Sequence, residues 1–204
     1  ARLGHCLFYD PVYYLSNPFE IIKVWEGGLA SHGAAIGIPF SIYLLTKKQK
    51  DKTVLWILDR VVIVVALAAV LIRLGNLFNS EILGTATDVP WAFIFARVDE
   101  VPRHPAQLYE AIFYLISFII LYFVYYKTDK KAKQGFIFGL FLVLIFGFRF
   151  FVEFLKIEQS AFEKGMILDM GQLLSIPFII GGLYFMFRKE KENINKKTKT
   201  KTAH

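Results

Sequence analysis

Residues 61–84 read VVIVVALAAVLIRLGNLFNSEILG. The first twelve are apolar without interruption; the next twelve hold an arginine, two asparagines, a glutamate and two glycines. An ordinary helix cap needs one or two polar side chains, so this apolar segment ends in far more polar chemistry than its termination requires. A membrane frame that holds a polar cluster near one bilayer face accounts for both halves of the stretch.

The rest of the chain follows the same division. It has 204 residues, of which 55% are hydrophobic and 17% aromatic, with a net charge of +7. The apolar residues lie in long blocks separated by short charged runs, not spread periodically as in a soluble domain. The expected fold is all-α: a polytopic integral membrane helical bundle of about five transmembrane helices, at residues 28–46, 54–74, 108–126, 135–155 and 168–187. Each is close to the ~20 residues needed to cross a hydrocarbon core. Residues 11–25 are too short to span; Asn17 as cap and Pro18 in the first turn would make them a short interfacial helix.

Charge places the ends. The runs at 47–52, 127–133 and 188–201 carry four, four and seven basic residues, fifteen of the chain's 24. With five spans these runs share one side, which the positive-inside rule makes cytoplasmic. Twelve of the 17 acidic residues lie in the opposite segments or at the span ends facing them. Because the basic residues flank apolar spans, they describe membrane topology, and no nucleic-acid partner is expected. Residues 1–187 are read as the transmembrane catalytic part and 188–204 as a lysine-rich, disordered cytoplasmic tail. The chain starts at Ala1 inside what looks like a helix, so upstream spans are expected. The single cysteine, Cys6, allows no internal disulfide and reads as a small buried hydrophobe. Neither metal-ligand spacing nor a phosphate-binding glycine loop is present, so no metal or cofactor is expected.

Charges inside spans cost about 2.5–3.5 kcal/mol each at the helix centre and need a partner or a task. His32 lies among glycines and alanines; it is either hydrogen-bonded across closely packed helices or a base or substrate-orienting group near the outer face. Arg73, Asn76 and Asn79 share a face if their helix continues; Glu81 would neutralise Arg73, or else Arg73 is suited to gripping a phosphate. RHPAQLYE, residues 103–110, brings Arg103, His104, Gln107 and Tyr109 to the mouth of the third span. Arg149 and Glu153 stand four apart on one helix, where an intrahelical pair is the default. Asp59 and Arg60, near the other end, read as a structural pair or as side chains that snorkel to the interface. The candidate groups converge on the outer leaflet, which points to a site for an anionic amphiphile.

RLGNLFNSEILGTATDVPWAFIF, RHPAQLYE, GGLASHG, FRFFVEF, DMGQLLSIP and ARLGHCLFYDP, each in its place, resemble the bacterial phosphatidylglycerol–prolipoprotein diacylglyceryl transferases; the similarity runs from Ala1 to about Arg188. The resemblance implies transfer of the diacylglyceryl group of phosphatidylglycerol, in the cytoplasmic (inner) membrane, to the lipobox cysteine of a preprolipoprotein signal peptide. It implies catalytic roles for His32, Arg73 and Arg149, and substrate binding by Arg73, Asn76, Asn79, Glu81, Gly84, Arg103, His104, Gln107, Tyr109 and Glu153. Lys156 stands where the family pattern leads one to expect arginine, which keeps the charge but loses bidentate geometry. The reading from a different class is a phospholipid-binding transporter or scavenging protein without chemistry.

Overall fold

The computed structural model describes residues 2–8, 11–26, 31–49, 52–129, 133–157 and 168–189. The chain divides into two compact units, Ala1–Ile57 and Leu58–His204. The expected tail lies outside the described residues beyond Lys189.

In the first unit, α1 (Arg2–Phe8) and α2 (Pro11–Ser16) are followed by 3-10 turns at Pro18–Ile22 and Val24–Glu26, then by α3 (Ser31–Lys48). The interfacial segment is therefore broken, not one helix. Asn17 does not cap the turn that follows; its side-chain amide donates back to the Tyr13 carbonyl at 3.1 Å, so the helix ends where Pro18 enters. Arg2 holds the 3-10 turn from α1, donating to the carbonyls of Glu20 at 2.5 Å and Ile21 at 3.2 Å. Cys6 is buried with a free thiol, as the sequence suggests.

The second unit is built on α4 (Val54–Phe78, counted here from Leu58), α5 (Ala106–Lys127), α6 (Phe136–Val152) and α7 (Met170–Phe187). Its core is a cluster of Val62, Ala66 and Val70 from α4, Ala111, Tyr114 and Leu121 from α5, and Ile137, Phe141 and Ile145 from α6. Phe113 of α5 stacks on Phe148 of α6 at 3.9 Å, and Phe146 of α6 on Phe178 of α7 at 4.3 Å. Gly139 and Gly182 bring α6 and α7 together: a Cβ on Gly139 would lie 2.6 Å from the Gly182 carbonyl oxygen, and one on Gly182 2.7 Å from that of Gly139. Small residues at a crossing are how apolar helices in lipid gain contact, since burial away from water supplies no drive there. Large apolar side chains face outward elsewhere, among them Ile72 and Ile180, each 62% exposed, as a lipid-facing surface requires.

The chain is an all-α integral membrane protein, with one adjustment to the span count. Three of the described helices, at Val54–Phe78, Ala106–Lys127 and Phe136–Leu155, are long and apolar enough to cross a membrane, and Gly171–Phe187 is a shorter apolar helix. The first expected span appears as α3, which begins in Ser-His-Gly and ends in two lysines. Its apolar stretch is correspondingly shorter than the run of small residues suggests.

At one end of the second unit the charged groups serve helix termini. Asp59 is buried, yet its expected partner Arg60 is not what holds it. Its carboxylate accepts the Gly135 N–H at 2.6 Å and the Phe138 N–H at 2.8 Å, capping α6. Two orphan amides at the positive end of the helix dipole are a good seat for a buried carboxylate. Arg188 donates to the Gln134 carbonyl at 2.7 Å, and Lys133 to that of Met186 at 2.5 Å, closing the C-terminus of α7.

Candidate active site

The other end of the same unit holds the ionic network. Helix α4 runs through Arg73 and Asn76 before ending at Phe78, so both side chains leave one helical face. Backbone hydrogen bonds from Asn79 to Gly75 and from Glu81 to Asn76 then reverse the chain. Ser80 and Ile82 flank Glu81 with φ of 57° each. For a β-branched residue such as Ile82 this left-handed conformation is strained, at a cost of about 1–3 kcal/mol, and it turns the backbone of Glu81 towards α5. There the Gln107 amide donates to the Glu81 carbonyl at 2.5 Å.

After the turn, residues 83–87 lie between two other extended segments. On one side the Thr85 N–H donates to the Leu155 carbonyl at 2.8 Å and Ile157 N–H to that of Leu83 at 3.1 Å. On the other, His104 N–H donates to the Thr85 carbonyl and Thr87 N–H to that of Pro102, each at 3.0 Å. The strand β2 (Pro102–Arg103) then pairs antiparallel with β1 (Phe93–Ile94). This patch ties the loop after α4 to the ends of α5 and α6, a β element that helical periodicity gives no means of foreseeing. Gly84 sits where the segments are closest: a Cβ there would collide with the His104 carbonyl oxygen. Its φ is not positive, so the demand is for space. Gly84→Ala is expected to destabilise the folded protein by about 1–3 kcal/mol through overpacking. Thermal unfolding in detergent measures this, and a variant as stable as the parent would contradict it.

The centre of the network is Glu110, fully buried one turn into α5. Its Oε1 accepts from Lys156 Nζ at 3.1 Å and from the Tyr114 hydroxyl at 3.2 Å, while Oε2 lies 3.0 Å from Arg73 Nε without an aligned hydrogen bond. Lys156, itself buried, also donates to Glu153 Oε2 at 3.0 Å. From Arg73 the network runs outward: Nη1 donates to Asn76 Oδ1 at 3.2 Å, and the Asn76 amide donates to Glu81 Oε2 at 2.7 Å.

Three expectations change here. Arg73 is neutralised by Glu110, and Glu81 reaches it only through Asn76. Arg149 and Glu153 form no intrahelical pair: α6 tightens into a 3-10 turn at Glu153–Leu155, which turns the carboxylate to Lys156. Lys156 loses little by not being arginine, because a compact ammonium with three donors can touch two carboxylates at once. Glu110, Lys156 and Tyr114 are not among the site residues expected from the sequence. The available signal was a carboxylate inside an apolar span, which demands a counterion.

Arg149 makes no ion pair among the described residues, and its buried Nε has no hydrogen-bond partner. Gln107 keeps its Oε1 buried and unmatched. A Cβ on Gly171, at the start of α7, would collide with the Glu153 carboxylate, so that helix end approaches the network closely. His104 Nδ1 lies 3.2 Å from the Tyr109 hydroxyl, which accepts from Trp91 Nε1 at 2.8 Å. Arg103 is held by both oxygens of Asp99 at 3.3 and 2.5 Å, and its Nη1 donates to the Gly84 carbonyl at 3.4 Å. The Arg103 guanidinium holds the Asp99 carboxyl below its usual range, so this clasp persists until pH falls through that lowered value. Asn79 is exposed and joins none of the hydrogen bonds of the network. His32 lies in the first turn of α3, but its side chain is outside the described residues.

A model of the family described as prolipoprotein diacylglyceryl transferase matches residues 1–188. Among curated relatives, the phosphatidylglycerol–prolipoprotein diacylglyceryl transferase of Chloroherpeton thalassium is 50% identical over 97% of this chain and 74% of its own length. The proteins of the same name from Tolumonas auensis and Bacteroides fragilis are 47% and 53% identical, over 94% and 92% of this chain and 74% and 72% of theirs.

Proposed function

Because the chain belongs to the prolipoprotein diacylglyceryl transferase family, we propose that it moves the diacylglyceryl group of phosphatidylglycerol onto the thiol of a lipobox cysteine in a preprolipoprotein. The sulfur attacks the glyceryl carbon that carries the phosphate. A thioether forms, the carbon–oxygen bond to phosphate breaks, and its electron pair leaves with glycerol-1-phosphate. The thiol proton passes to a base.

The observation that carries the reading is the charge balance of the network. Among the described buried and half-buried groups at this end, the cations Arg73 and Lys156 pair with the carboxylates Glu110 and Glu153, while Arg149, on the helix that leads to Glu153, makes no ion pair. Among the described residues the unmatched cation is Arg149, and one phosphodiester would supply the missing negative charge. Arginine donors fixed before the reaction stabilise charge that develops on the departing glycerol phosphate without reorganising. Arg73, braced by Glu110 and Asn76, presents its remaining donors to the same anion. Glu81, Gly84, Gln107, His104 and Tyr109 shape the surrounding walls, with Glu153 holding Lys156.

His32 is the proposed base. A free thiol pKa near 8.5 leaves little thiolate at neutral pH, and imidazole is suited to take its proton. Residues 1–187 form the transmembrane catalytic part in this reading, with 188–204 as a tail. The lysine-rich ends face the cytoplasm, and the network opens to the outer leaflet of the inner membrane. A lipid carrier without chemistry would need polar lining along the spans, whereas at the opposite end Asp59, Lys133 and Arg188 are engaged with helix termini.

The test supplies the full-length protein with phosphatidylglycerol and a lipobox peptide. Glycerol phosphate release and a matching rise in peptide mass are expected; neither would appear if the reading is wrong. In the same assay His32→Gln is expected to slow transfer by roughly 10²–10⁴-fold at neutral pH. A normal rate in that variant removes His32 as the base.

A further inference from the structure

The β patch beside the ionic network has an open side. Residues 83–87, β2 and β1 lie next to one another in that order, so β1 (Phe93–Ile94) is an outer edge. The bonds of β2 fix which way each residue of β1 faces. In an antiparallel pair the N–H and C=O of one residue point to the same side, and successive residues alternate. The Pro102 carbonyl accepts the Thr87 N–H, and the His104 N–H donates to the Thr85 carbonyl. Arg103, between them, therefore turns its backbone groups to Phe93, its partner in the register. Ile94 then presents its N–H and C=O away from β2, where no described residue meets them. The side chains around this edge are apolar and open: Ile94 is 59% exposed and Trp91 57%. On the other face of β1, Phe93 packs towards the buried Phe95, their rings 6.4 Å apart.

Given the transfer reaction proposed above, we propose that this edge docks an extended, apolar stretch of the acceptor polypeptide, which adds as a further strand beside Ile94. Two features favour a peptide over the bilayer as occupant. Hydrocarbon covers apolar side chains but offers nothing to a backbone N–H and C=O, and open sheet edges do not occur within it. A second backbone supplies one donor and one acceptor at the matching spacing, with alternate side chains left to meet Ile94. The second feature is continuity with the site. The same patch runs through residues 83–87 to Leu155 and Ile157, which flank Lys156 of the network. An added strand would lie about 14 Å from residues 83–87, a distance that about four extended residues cover. A stretch docked at Ile94 thus leaves the lipobox cysteine on a tether able to reach the network. An edge of two residues sets the register of that stretch and still lets the lipidated product leave.

The experiment uses full-length protein in detergent and a fluorescein-labelled lipobox peptide whose cysteine is replaced by serine, so that anisotropy reads binding whether or not transfer occurs. Ile94→Pro removes the outward N–H at a position where an edge strand accepts proline. Affinity should fall about fivefold, the net effect of one lost hydrogen bond, with thermal unfolding unchanged. Ile94→Val, which keeps the backbone groups, should bind as the parent does. On the parent protein, N-methylation of successive peptide amides should weaken binding by a similar factor at one residue and at neither neighbour, whose amides face away. That measurement stands even if Ile94→Pro does not fold. No binding by the parent, parent-like affinity in a folded Ile94→Pro, or uniform tolerance of methylation overturns the docking edge. So does a change of oligomeric state in Ile94→Pro, read by light scattering, which would give the edge to a second copy. Transfer to the cysteine peptide is scored separately. A parent that binds in this pattern without transferring supports the edge and overturns the proposed reaction; transfer without the pattern does the reverse.

Discussion

Arg149→Ala is expected to abolish diacylglyceryl transfer, lowering the rate by roughly 10²–10³-fold or more, while the protein remains inserted and folded. The reason is its place in the network. Every other cation there is already matched, Arg73 by Glu110 and Lys156 by Glu110 and Glu153. Removing Arg149 therefore unpairs no carboxylate among the described residues, and its stability cost is limited to lost packing by the side-chain stem. In the proposed function, the charge it removes is the one that meets the substrate phosphate. Release of glycerol phosphate, measured beside thermal unfolding in the same detergent, separates the two effects. Retained transfer would assign the phosphate to another group; a large loss of stability would show that Arg149 is paired within the fold.

Glu110→Ala should do the opposite, damaging the fold first. One carboxylate serves Arg73, Lys156 and the Tyr114 hydroxyl, with no solvent exposure of its own. Breaking a buried pair by removing one partner costs about 3–5 kcal/mol, because the remaining charges stay buried without compensation. Transfer falls as well, since Arg73 is no longer braced. The double variant Glu110→Ala, Lys156→Met removes one of the stranded cations and should recover part of the stability but not the transfer rate. If the single variant melts within about 0.5 kcal/mol of the parent, as a surface substitution would, then Glu110 is not the centre of the network.

The two variants probe different parts of what spacing along the chain could and could not foretell. Arg149 was visible as an arginine among phenylalanines, because the cost of a charge in an apolar helix is a local property. Its freedom was not visible: four-residue spacing to Glu153 predicts a pair, and only the 3-10 turn at Glu153–Leu155 directs that carboxylate to Lys156. Glu110 reads from the sequence as part of a helix entrance, since nothing local shows that Arg73 and Lys156 arrive from two other parts of the chain.

What the sequence determined by itself is the membrane frame: apolar lengths, charged ends, and the polar stretch after residue 72. Each lipid-spanning helix satisfies its own backbone hydrogen bonds, so its existence depends only on a contiguous run of suitable residues. The tertiary structure alone decided which charges meet. Lys156 and Glu110 are 46 residues apart and touch because α5 and α6 pack with their ends at the same depth. Gly84 lies against His104 because the strand after α4 passes between two others. Such contacts are set by helix depth and rotation about the core, which no periodicity along one segment records. Residues 73–84 thus have their identities from the sequence and their partners from the fold.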